Sequence, residues 1–143
     1  IMDGHQRRLG YAKCGVGGDM LIDRQKEIWA AQDYEDLKQI TDEVMLSHDT
    51  QHLGFLWSYD TAFRIGIHLG EDYYPERVYV HQGVDKGINN LLGGDFVRQL
   101  PRQRDHKYCL KEHLPEYFQN MPCWAIENFL CVFEDELAQV DLG

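Results

Sequence analysis

Apolar positions along this chain recur mostly with the 3.6-residue period of amphipathic helices. The densest apolar run lies at residues 53–94. Within it Leu56, Tyr59, Phe63 and Ile67 recur at spacings of three and four and form one stripe of a helix. Phe63, Ile65, Ile67 and Leu69 also alternate with Arg64, Gly66 and His68, as a half-buried strand would. Length decides for the helix, because apolar character begins at Leu53 and runs past the usual strand. Gly70 then closes it, and Pro75 forbids continuation.

The next segment changes period. Val78 and Val80 alternate with Tyr79 and His81, and Gln82-Gly83 ends the run, which predicts a strand over 77–81. Ile88, Leu91 and Leu92 predict a short helix ended by Gly93-Gly94. His81, Asp85 and Lys86 then fall on a loop beside the strand's end, a place where a rigid scaffold presents side chains. Residues 95–100 read as a second short strand, stopped by Pro101.

On either side of this centre the pattern is helical. Asp19 caps a helix to about Ala31, with Leu21, Ile22, Ile28 and Trp29 on one side. A second helix covers Tyr34 to Leu46; Leu37, Ile40, Val44 and Met45 face inward, and Asp36, Lys38, Asp42 and Glu43 face water. Pro115 and Pro122 each suit the first turn of a helix. In the last helix Ile126, Leu130, Phe133, Leu137 and Val140 keep a 4-3-4-3 spacing. Residues 1–18 read as irregular; the Gly-rich Cys14–Asp19 stretch lacks the Gly-Lys-Ser/Thr ending of a phosphate loop. The expected fold is mainly α, with α+β as the alternative. It is a compact bundle of about five to six helices with one or two short strands near 77–81 and 95–100, in a single domain over 1–143.

Composition narrows the function classes. The chain has 143 residues and a formal net charge of −10, which weighs against a general affinity for nucleic acid or an anionic membrane. Hydrophobic residues make up 43%, enough for a core, yet no apolar run reaches the ~20 residues that span a bilayer. Cys14, Cys109, Cys123 and Cys131 form no CxxC pair; Cys123 and Cys131, two turns apart on one helix, cannot bridge each other. Such thiols are expected in a reducing compartment, so the location expected is cytoplasmic.

Three sets of residues carry candidate chemistry. His48 and His52, four apart, could share a helix face and hold a divalent metal; Asp49 stands where HExxH has its Glu, and no third ligand is fixed by position. His81 with Asp85 and Lys86 could do acid–base work, because imidazole titrates near neutral pH; Tyr79 points the same way on a regular strand. Tyr74 and Tyr79 belong to an aromatic concentration, and Arg98, Arg102 and Arg104 to the one basic run; together they are candidate binding residues. The simpler reading of that run is pairing with the protein's own carboxylates. The function expected is that of a small acidic binding protein, partnered as a homodimer or by another protein, with a small-molecule ligand open. The alternatives are a small hydrolase using His48/His52 or His81/Asp85, and a nucleic-acid-associated accessory protein.

Overall fold

A computed structural model describes residues 11–47 and 53–140. Among them the fold is mainly α, with seven α-helices and one three-stranded antiparallel sheet. No helix of the described residues is long and apolar enough to cross a membrane. The chain divides into two compact units, Ile1–Tyr74 and Pro75–Gly143.

The first unit contains α1 (Tyr11–Asp23), α2 (Gln25–Ala30), α3 (Tyr34–Met45) and α4 (Phe55–Leu69), then a 3-10 turn at Glu71–Tyr73. Two of these depart from the sequence reading. The Gly-rich stretch is helical rather than irregular, and the helix expected to run unbroken from Asp19 to Ala31 is interrupted at Arg24. Glycine is a weak helix former on its own. Packing overrides propensity here: a Cβ at Gly17 would lie 2.8 Å from Trp57 Cζ2, so only glycine lets α1 approach that indole.

The remaining helices of this unit follow the pattern. Asp33 caps α3 by accepting from the Asp36 N–H at 2.9 Å. Residues 63–69 belong to α4, as length predicts, and Gly70 ends it at φ 123°, a backbone that suits glycine. Leu21, Ile40, Val44, Met45, Leu53 and Trp57 form the apolar core. Lys38 and Asp42, expected to face water, are instead wholly buried. They lie at i and i+4 on α3, one position round from Leu37 and Thr41, on the face that meets α4.

The second unit runs β1 (Val78–Val80), α5 (Gln82–Leu92), α6 (Gly94–Arg98), β2 (Arg102–Gln103), β3 (His106–Cys109) and α7 (Cys123–Val132). The sheet order is β1-β3-β2. β1 is the strand expected. The second strand expected at 95–100 is a correction, because that segment is helical and the strands lie at 102–109. The hairpin between β2 and β3 turns at Arg104 (φ 45°) and Asp105 (φ 67°), two residues in the left-handed region.

α7 stops at Val132, short of the continuous helix expected through Val140. Phe133 leaves helical geometry at ψ 25°, and a 3-10 turn follows at Glu136–Gln139. Of the expected stripe, Ile126, Leu130 and Leu137 enter the core, while Phe133 and Val140 are exposed. α5 and α7 come together at backbone distance. A Cβ on Gly87 would collide with the Leu130 carbonyl oxygen, and one on Gly83 would lie 2.6 Å from Cys131 Sγ. Val78, Val80, Val84, Ile88, Cys109 and Phe118 fill the core with them.

Candidate functional site

The polar centre of the second unit forms where β1 passes into α5. Antiparallel register places Tyr79 opposite Tyr108 and Gln103 opposite His106, while Val78 opposite Cys109 occupies the core face. The face bearing Tyr79 therefore also carries Arg77, His81, His106 and Tyr108. The Tyr79 and His106 rings lie 4.9 Å apart, those of His81 and His106 5.8 Å, and the Arg77 guanidinium sits 4.4 Å above the Tyr108 ring. Tyr79 and His81 point the same way, as alternation requires. Both Tyr79 and His106 are buried.

His81 Nε2 meets Glu127 Oε1 of α7 at 2.6 Å, with side chains only 7% and 12% exposed. The other ring nitrogen, Nδ1, is itself buried. The imidazole is thus enclosed at both nitrogens and ties the start of α5 to the middle of α7.

The other two residues of the proposed acid–base set are engaged elsewhere. Asp85 accepts from Lys107 of β3 at 2.9 Å. Lys86 donates to Asp135 at 2.6 Å and to Glu134 at 3.1 Å, and these bonds, Asp135 first, raise its pKa above the usual lysine value. His81, Asp85 and Lys86 therefore engage separate partners: Glu127, Lys107, and Glu134 with Asp135.

The expected binding residues are similarly distributed. Tyr74 belongs to the first unit, where it meets Phe63 edge-on at 5.7 Å. Tyr79 is core, not surface. Arg98 pairs with Asp95, and Arg102 donates to the Asp105 carbonyl at 2.9 Å. Arg104 occupies the hairpin turn, with one guanidinium nitrogen buried. Lys107 and Lys111 go to Asp85 and to the Met121 carbonyl. Most of the basic run is thus turned to the unit's own acceptors. His48 and His52 lie outside the described residues. Among the described residues, no group of three or more His, Cys, Asp or Glu is arranged to hold a metal ion.

Arg77, His106, Tyr108 and Glu127 are the members of this centre that sequence reasoning did not single out. Glu127 lies 46 positions from His81, beyond any local spacing rule. Its one signal is its place as the sole charge in the apolar run CWAIENFLCV, beside the inward-facing Ile126 and Leu130.

The thiols are quiet. Burial pushes Cys109 up to about 11, with further rises from Cys123 and Glu112, and burial also raises Cys123. Comparison of the chain with protein families, curated proteins and solved structures returns no match.

Proposed function

We propose that this protein is a small acidic binding protein of the cytoplasm that pairs with a second copy of itself through the outer face of α7. The observation that carries this reading is the all-round apolar character of that helix. Cys123, Ile126 and Leu130 are buried on one side, while Trp124 and Val132 stand 37% and 59% exposed on the other, with Asn128 between them. A helix this apolar belongs in an interior, and the edge of this one formed by Trp124, Asn128 and Val132 remains exposed.

The spacing suits a two-fold pairing. Trp124 and Val132 each lie four positions from Asn128, so two helices crossing antiparallel at Asn128 set Trp124 against the partner's Val132. Charge does not oppose it locally. In a chain of −10, α7 carries only Glu127, which is held inward by His81, and Lys86 offsets one of the two charges of Glu134 and Asp135 beyond its end. Tyr117 and Phe133, both exposed, supply further apolar surface in the same unit.

Sedimentation equilibrium tests this directly. The wild-type protein is expected as a dimer, and Val132→Lys and Trp124→Lys as monomers with unchanged far-ultraviolet circular dichroism. A wild-type protein that stays monomeric at its highest soluble concentration overturns the reading. Dimers that survive both substitutions place the interface elsewhere.

A further inference from the structure

The first unit carries a second unpartnered apolar face, of different electrostatic character. α1 and α2 are separated by Arg24, which leaves helical geometry at φ −103° and ψ 17°; its N–H closes α1 on the Leu21 carbonyl at 3.0 Å, and its own carbonyl accepts from Ile28 N–H of α2 at 3.2 Å. Leu21 and Ile28 take the inner side and pack on the core. Ile22 and Trp29, each one step of about 100° further round, stand 64% and 74% exposed. An indole this open is a heavy apolar load to leave in water, and tryptophan is the residue most often found anchoring a partner.

The rim of this face is acidic. Asp19 and Asp23 are exposed on α1, Asp33 is exposed at the cap of α3, and Asp36 and Glu43 are exposed on α3. Arg24 adds no net positive charge, because Glu27 and Glu43 both hold it at 2.6 Å; these bonds, Glu27 foremost, raise its pKa further. Lys26 is the remaining exposed cation on α2. Two copies meeting here would bring two acidic rims together, so this face is less suited to self-pairing than the outer face of α7. The same charges repel an anionic membrane surface.

We infer that the Ile22–Trp29 face docks a cationic amphipathic helix of a partner protein. The partner's apolar side covers Trp29 and Ile22, and its lysines or arginines lie over Asp19 and Asp23. This inference is independent of the α7 dimer.

Fluorescence anisotropy with a labelled synthetic Leu/Lys amphipathic helix, and with its counterpart in which every Lys is Glu, decides it on the full chain. Binding of the Lys peptide alone is expected, weakening as salt rises. Trp29→Ala is expected to reduce it about 30-fold, the scale of losing a central anchor. Ile22→Asp should abolish it, and Asp19→Asn with Asp23→Asn should weaken it and flatten its salt dependence. All four side chains are exposed, so these variants are expected to keep the wild-type circular dichroism, which is checked for each. Failure of the Lys peptide to bind overturns the inference. So does binding undiminished in Trp29→Ala, or equal binding of the Glu peptide. An Ile22→Asp protein that loses wild-type self-association would assign the face to a second copy and overturn it equally.

Discussion

The two units solve the same packing problem with opposite materials. The second buries an aliphatic and aromatic cluster, and the polar groups beside it are the His81–Glu127 tie and the imidazole of His106. The first places charge at its centre. Lys38 Nζ meets Asp42 Oδ1 at 2.6 Å, Ser58 Oγ donates to the same oxygen at 2.6 Å, and the Thr41 and Ser58 hydroxyls lie 2.8 Å apart, all fully buried between α3 and α4. Tyr34 extends the seam by donating to the Tyr59 carbonyl at 3.2 Å. Apolar contacts stabilise without dictating register, whereas a buried hydrogen-bonded ion pair is satisfied in one register only. In the first unit the bonds linking Thr41 and Asp42 to Ser58 fix how α4 lies on α3, whereas the second unit rests on apolar burial.

Substitution can break this contrast at its strongest point first. Asp42→Ala leaves Lys38 charged and buried, and should destabilise the protein by about 3–5 kcal/mol in chemical denaturation. The double change Lys38→Met with Asp42→Leu should recover most of that loss. A double variant as weak as the single one would show that the pair supplies stability and not only register. In the second unit, Gly87→Ala drives a methyl group into the Leu130 carbonyl, and a loss of about 3 kcal/mol is expected from forcing α5 off α7.

A smaller effect separates the units by pH. The folded state holds the Cys109 proton to about pH 11, whereas an unperturbed thiol releases it near 9.0. Its contribution is therefore intact below pH 9.0 and is lost as pH rises through the folded value, amounting to about 3 kcal/mol at most. Thermal melts of Cys109→Ala should show a shallower alkaline decline than those of the wild type. Smallest are the gains from Gly15→Ala and Gly18→Ala. A Cβ at either position meets nothing within 4 Å and neither backbone is left-handed, so each should stabilise by about 0.5–1 kcal/mol in the same melts.

Where periodicity was strong, the fold was legible in the sequence. α3, α4 and β1 follow from the spacing of Leu37, Ile40 and Val44, of Tyr59 and Phe63, and of Val78 and Val80. α1 was hidden because its glycines are poor helix formers and Trp57, which requires one of them, lies 40 positions on. The β2–β3 hairpin was hidden because Arg-Gln-Arg-Asp-His-Lys shows no apolar alternation and its left-handed turn uses Arg104 and Asp105 where glycine or asparagine would signal it. Lys38 and Asp42 were read as solvated on residue type alone; their shared spacing of four, beside Leu37 and Thr41, was the overlooked sign. At the candidate site, the strand-end placement of His81 was legible. Its partner Glu127 was not, because only the crossing of α5 and α7 brings them together.

That crossing has a consequence for motion. With Gly83 and Gly87 admitting α7 against the α5 backbone, neither helix can loosen by rearranging side chains alone. The pair should open as one cooperative segment, so their amides should exchange with deuterium late and at a common rate. The exposed ends of the hairpin, by contrast, should exchange early.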